Sequence, residues 1–471
     1  MFGTFSASVA RGRGAVRRLT VAVVMSGLIT AGSMAGAGTA VAEDDVQHQG
    51  GAVATLDGLK TFDTAVLRAN GESHEIPAGV FEMTVDGGGR LKTYCIDIHN
   101  PTQDQAKYLE TPWSQTSLAT NKNAGKIRWI LQHSYPQVDD LAALAASAGT
   151  GPLSQKTAAA GTQVAIWRYS DNADVDALDP AAEKLADWLQ AKARNVVEPK
   201  ASLSLEPSAV SGKAGGRLGP VTVRTDAAQV ALTPPVDAAA SGIRITDAAG
   251  KPVTSAVNGA KVFFDVPAGA VDGSATLSAQ ATTSVPVGRA FAGATRSQTQ
   301  ILAGSSESTV SADAAATWAT AGAIPALSAK KNCAQGGVDI TAANKGDAPF
   351  TFELAGFSHT IAAGESRTVT IPVAEDQAYD FTITGPGGFS KNFRGVLDCK
   401  IKGASTPETQ TLGSQPSPAA AGGVSAGLEG DLAATGGSSA TPMIAGIAVV
   451  LVVIGGGAIF FLRKKKVPTE Q

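Results

Sequence analysis

The chain has 471 residues, with 53 Gly, 23 Pro, 5% aromatic and 17% charged residues and a net charge of −3. So light an interior suits several small β-rich modules better than one large-core enzyme, and so low a charge excludes a polyelectrolyte. Residues 1–42 hold four Arg and no acid, and the stretch after Thr435 holds four basic residues and one acid, which leaves 30 basic against 40 acidic between them, a net of −10 that excludes nucleic acid as a partner.

The N-terminus carries Arg11, Arg13, Arg17 and Arg18, an uncharged run from Leu19, then Ala40-Val41-Ala42 before Glu43-Asp44-Asp45. That order predicts a secretory signal peptide over residues 1–42, cut after Ala42, with a retained anchor as the alternative. Arg17-Arg18 leaves Sec and Tat export both open.

Residues 51–198 hold four of the five Trp and the clearest helix signals. Asp179-Pro180 is an N-cap and first-turn pair, with Ala181, Leu185, Trp188 and Leu189 following at helical spacing. Ile127, Ile130 and Leu131 predict a second helix, and residues 80–85 and 91–98 read as strands around a turn at Gly87-Gly88-Gly89. This predicts a mixed α+β domain.

Residues 200–304 show short alternating runs between Gly/Pro turns and predict an all-β sandwich module. Residues 305–330 read as a connector. Residues 331–402 are again strand-like, at 338–341, 350–354, 367–373 and 379–384, and predict an immunoglobulin-like module. Residues 403–430 are rich in Pro, Ser, Gly and Ala and predict a flexible stalk.

An uninterrupted apolar run over 443–462 would cross about 30 Å as a transmembrane helix. The basic residues that open the 463–471 tail place that tail in the cytoplasm. Just upstream, residues 432–436 read Leu-Ala-Ala-Thr-Gly. Pentapeptide, span and basic stop together resemble the LAXTG sorting signal of Gram-positive wall proteins, in the form used by actinobacterial sortases. The resemblance implies sortase cleavage between Thr435 and Gly436 and a covalent peptidoglycan anchor through Thr435. The protein would be secreted, and membrane-spanning before sorting. A plain single-span membrane protein is the alternative.

Three cysteines in an exported chain leave one over. Cys333 and Cys399 bracket the last β-module, and a disulfide between them would close a loop of 66 positions. On the chain-entropy model that is worth roughly 4 kcal/mol. Cys95 remains, on the strand-like stretch Tyr94-Cys95-Ile96-Asp97, where a buried small hydrophobe is the simplest reading.

A second motif reverses that reading. Gly161-Thr162-Gln163-Val164-Ala165-Ile166-Trp167, after Tyr-Cys-Ile on a strand, resembles the Cys-Gln thioester domains of Gram-positive surface proteins. The resemblance covers roughly residues 51–198. It implies that Cys95 supplies the sulfur and Gln163 the acyl carbon of an internal thioester. Thiolate attack on a carboxamide, with loss of ammonia, needs those two residue types. Trp167 falls one turn after Gln163 if the segment is helical, where it either shields the bond or packs in the core. His99, Asp97 and Tyr169 lie near the motifs in sequence and receive no role.

Two rivals stay open: a secreted cysteine acyltransferase with Cys95 and His99 or His133, and a passive wall protein binding through its β-modules. No metal pattern, phosphate loop or dinucleotide fingerprint occurs, so neither metal nor cofactor is expected. The expectation is a wall-anchored adhesin that captures amines, such as Lys side chains on an unidentified target surface, once rather than by turnover.

Overall fold

Two long strands, β1 (Val53–Ala69) and β2 (Glu72–Val85), begin the folded part as an antiparallel hairpin. It turns at Asn70-Gly71, whose φ angles of 55° and 81° are the left-handed values that a two-residue hairpin loop demands. The computed structural model describes residues 49–103 and 105–400. Signal segment 1–42, stalk 403–430, motif 432–436 with Thr435 and Gly436, apolar run 443–462 and tail 463–471 lie outside them. Among the described residues, no helix is long and apolar enough to cross a membrane.

Strand β3 (Arg90–Cys95) pairs with β2, and β4 (Lys107–Thr111) with β1. Helices α1 (Ala124–Gln132), α2 (Leu141–Ala148) and α3 (Gln155–Ser170) follow, then β5 (Asp174–Ala177) against β1, and α4 (Pro180–Lys192). Asp179 caps α4 as its sequence predicts, Oδ1 accepting from the Ala181 and Ala182 amides at 2.7 and 3.0 Å. Helix α3 is buried at every residue from 158 to 167, wedged against β1, β2 and α4. Its small residues Ala158, Ala159, Ala160 and Gly161 allow so close an approach on every side.

The second module runs through β6 (Leu203–Glu206), β7 (Ala209–Lys213), β8 (Arg217–Thr225) and β9 (Val230–Thr233). A short α5 (Ala238–Ser241), β10 (Arg244–Thr246), β11 (Ser255–Ala256), β12 (Lys261–Asp265) and β13 (Gly273–Ser284) continue it. The chain then departs from expectation. Strands β14 (Ala290–Gly293) and β15 (Gln300–Ser305) pair with β4 and β3, so residues assigned to the 200–304 module complete the first sheet. Its order is β2-β3-β15-β14-β4-β1-β5, and the added β1–β2 pairing closes the first six into a ring.

Strand β16 (Glu307–Ala319) also differs from the connector expected over 305–330. It pairs with β13 over twelve positions and runs parallel to β7. Its inward residues are Ser308, Val310, Ala312, Ala314, Ala316 and Trp318, a period of two built mostly on Ala, which carries little hydrophobic contrast. Sheets β10-β12-β8-β6 and β11-β9-β13-β16-β7 bury Leu205, Val223, Leu277 and Val310 in a core continuous with that of the first sheet.

The last module starts earlier than residue 331, with β17 (Pro325–Asn332) against β18 (Gly337–Asn344). Hairpin β19 (Phe350–Leu354) and β20 (Phe357–Ile361), then β21 (Ser366–Pro372) on β18, and hairpin β22 (Ala378–Thr384) and β23 (Ser390–Val396) complete it. Its own core centres on Val338, Ile340, Phe350, Phe352, Ile383 and Phe393. A Cys333–Cys399 disulfide, Cα atoms 5.1 Å apart, ties its ends. The protein is thus mostly β, in several sheets, with few helices.

Candidate functional site

Cys95 is the last residue of β3 and Gln163 lies in mid-α3; both are wholly buried. Position is set on each side. Cys95 sits opposite Gln300 of β15, and the next amide, Ile96, donates to the Thr299 carbonyl at 3.0 Å. Helix α3 begins with a capping box, in which Ser154 and Thr157 serve each other's backbone amides. Two motif residues then seat the helix. Gly161 lies so close to α4 that a Cβ there would meet the Ala182 carbonyl at 2.5 Å. Thr162 Oγ1 reaches Ser134 Oγ at 2.6 Å and the Ala158 carbonyl at 2.7 Å.

Cys95 and Gln163 grip each other. The Cys95 amide donates to Gln163 Oε1 at 3.0 Å, and Gln163 Nε2 donates to the Cys95 carbonyl at 2.8 Å. The carboxamide is thereby fixed beside the residue that bears the sulfur. The Cys95 N–H polarises its carbonyl and is aimed at the oxygen that would turn negative during attack on Cδ.

The Asp97 amide donates to Cys95 Sγ at 3.2 Å. Burial, then the charges of Asp171 and Asp97, push the thiol well above its ordinary range, while the Trp167 indole and the Asp97 amide oppose the shift. Burial and Asp171 push the Asp97 carboxyl to about 7. Burial pushes Asp171, the residue capping α3, to about 6, against hydrogen bonds from Ser170 and the Ile98 amide.

Trp167 follows Gln163 by one turn, 3% exposed, with its indole N–H turned to the Cys95 thiol. Asp97 is the residue that sequence reasoning left without a role and that the structure brings to the sulfur. Tyr169 is engaged elsewhere, its hydroxyl donating to the Gln190 carbonyl at 2.8 Å and its ring beneath Lys126. His133 stacks on Trp129 at 3.9 Å, with Nδ1 2.7 Å from the Trp129 carbonyl. His99 is half-buried and pushed down by loss of water. Among the described residues, neither imidazole hydrogen-bonds Cys95 Sγ.

The second sequence-derived pair, Cys333 and Cys399, is bonded and packs with Leu397, Val373 and Ala119. Among the described residues, Glu375, Asp376 and Asp398 gather three carboxylates within 4.8 Å. They are already countered. Arg296 pairs with Asp376 at 3.2 Å, Lys331 acts on Asp398 and Glu375, and Glu375 accepts the Cys399 and Lys400 amides at 2.6 and 2.8 Å.

Residues 92–195 match the family model described as "Thioester domain", so the chain carries a thioester domain, with Cys95 and Gln163 both inside the match. Residues 311–396 match the model described as "Bacterial phospholipase C, C-terminal domain". No curated protein matches. Among solved structures, the Bacillus anthracis TIE protein is 15% identical at a TM-score of 0.27, over 74% of this chain and 64% of its own. The thioester domain of the Enterococcus faecium TIE86 protein is also 15% identical at 0.27, over 59% of this chain and 99% of its own. The E. coli chaperone DraB is 12% identical at 0.17, over 42% and 98%. TM-scores this low carry no argument about fold or function.

Proposed function

We propose that Cys95 and Gln163 form an internal thioester through which the protein covalently captures amines on a target surface. The double hydrogen bond between the two residues carries this reading. Sulfur attacks Cδ, the C–N bond breaks, and the thiol proton leaves with the nitrogen as ammonia. An amine from outside, such as a Lys side chain, then attacks the same carbon, the C–S bond breaks and the thiol returns. The product is an amide, and Gln163 is consumed. The protein therefore acts once, as a single-use device rather than a turnover enzyme.

The rival acyltransferase needs a thiol activated by an imidazolium, which depresses a cysteine's pKa. Cys95 is instead pushed up by burial and two acids.

The remaining parts give this chemistry a mechanical setting. A signal peptide over 1–42, a stalk over 403–430, a sorting motif at 432–436 and a span over 443–462 describe a secreted protein that sortase joins to peptidoglycan through Thr435. The second and last modules act as sandwich-like, immunoglobulin-like spacers below the thioester domain. Non-covalent complexes saturate near roughly −20 kcal/mol, whereas an amide to the target does not dissociate.

Methylamine tests capture. Peptide mapping after treatment should find a methylamide on Gln163 and a newly alkylatable Cys95, and neither in Cys95→Ala or Gln163→Ala. An unmodified Gln163 contradicts the reading. For the anchor, Thr435→Ala should move the protein from wall to membrane or medium; unchanged wall linkage contradicts that part.

A further inference from the structure

One buried polar atom near the sulfur, Asp97 Oδ1, lacks a partner among the described residues. Buried polar groups are satisfied in nine cases of ten or more, so an orphan acceptor beside a thiol needs an explanation. Asp97 is 2% exposed, its amide holds Sγ at 3.2 Å, and its Oδ2 accepts from Asn100 Nδ2. Asp171, the second carboxylate acting on the thiol, has both oxygens engaged, by the Ile98 amide at 2.9 Å and Ser170 Oγ at 2.6 Å. Asp97 is left with an open oxygen.

The chemistry supplies a use for it. The thiol proton must leave sulfur, an amide nitrogen departs only when protonated, and among the described residues no imidazole hydrogen-bonds the thiol. We propose that Asp97 is the proton carrier of bond closure: its carboxylate takes the Cys95 proton as sulfur attacks Gln163 Cδ, then gives it to the departing nitrogen, which leaves as ammonia. The carboxylate ends unchanged. The Trp167 N–H, which already acts on the thiol, is the donor for the sulfur while it bears negative charge. This inference rests on the thioester reading.

Several groups bear on the Asp97 charge. Asp171 comes from the end of α3, Arg296 from the loop between β14 and β15, and Asp376 and Asp398 from the last module, with Cys95 and Tyr108 beside it. Asp97 accepts a proton only as the carboxylate, so closure should slow as pH falls through about 7.

The test follows closure in the full chain. Ammonium at high concentration reopens the thioester to thiol and carboxamide, and after its removal the loss of one ammonia is timed by mass across pH 5–9. Wild type should close with an inflection near neutrality. Asp97→Asn, which still accepts from Asn100, should close at least tenfold more slowly and without the inflection, and Asp97→Glu should recover part of both. Asp171→Asn should move the inflection to lower pH. Wild-type rate and inflection in Asp97→Asn would overturn the proton carrier and leave the thioester standing. Should Asp97→Asn fail to fold, a flat wild-type profile would overturn it equally. A wild-type chain that never loses ammonia would overturn the thioester, and this inference with it.

Discussion

Arg289 and Glu110 form a buried ion pair, Nε to Oε1 at 2.9 Å, with side chains 4% and 0% exposed. Glu110 also accepts the Ala52 and Ser202 amides at 3.0 and 2.9 Å, while Arg289 reaches Glu198 Oε1 at 2.9 Å and the Pro199 carbonyl at 3.2 Å. One pair thus ties β4 to the link between the first two modules and to the segment that returns as β14 and β15. Since β15 lies against β3, the pair helps to hold the frame in which Cys95 sits.

Removing one partner leaves the other charge buried. Arg289→Ala should therefore cost about 3–5 kcal/mol in chemical denaturation. Replacing both, as Arg289→Met with Glu110→Gln, should recover much of that loss. A single variant within about 1 kcal/mol of wild type would show that water reaches Glu110.

Gly161 predicts a sharper effect than its neighbours. A Cβ there meets the Ala182 carbonyl at 2.5 Å and Leu185 Cβ at 3.2 Å, so α3 and α4 must separate. Gly161→Ala should destabilise by about 1–3 kcal/mol, the usual range for overpacking, and should slow closure because Gln163 rides on the same turn. Thermal melts and the timed ammonia loss read the two effects separately.

The disulfide closes the last module, next to Asp398, one of the acids that bear on Asp97. Cys333→Ser should expose Cys399 to alkylating reagent and destabilise the last module by roughly 4 kcal/mol, on the chain-entropy model. Cys95 chemistry should persist, since the bridge packs with Leu397, Val373 and Ala119 rather than with α3. A peptide map joining Cys95 to either of the other two would contradict both assignments.

Stability should also respond to the acids at the sulfur. Asp97 at about 7 and Asp171 at about 6 both lie above the ordinary carboxylate value of 3.8. The folded state therefore binds their protons more tightly than the unfolded state does. That contribution is complete below about pH 4 and is lost as pH rises through 6 to 7. Asp97→Asn imitates the protonated form, so it should equal wild type at about pH 4 and below and exceed it in melting temperature at pH 8. Equal melting temperatures at both values would contradict this linkage.

The juxtaposition of Cys95 and Gln163 was legible in the sequence because the proposed chemistry demands two particular side chains in a recognisable setting. The α4 cap and the last module's strands were legible because their signals are local. Strands β14 and β15 were not, since what makes them strands is pairing with β4 and β3 from far along the chain. β16 escaped because Ala312, Ala314 and Ala316 alternate too quietly against polar neighbours. Asp97 stands next to a motif in plain view, yet its significance depends on an unmet oxygen, which only three dimensions reveal.

Intact mass tests the central claim most directly. The purified chain should weigh one ammonia less than its sequence requires, with Cys95 resistant to alkylation under mild, amine-free denaturation. Cys95→Ala and Gln163→Ala should each return to full mass while keeping the wild-type circular dichroism. A full-mass wild-type chain whose Cys95 alkylates freely on denaturation would contradict the account.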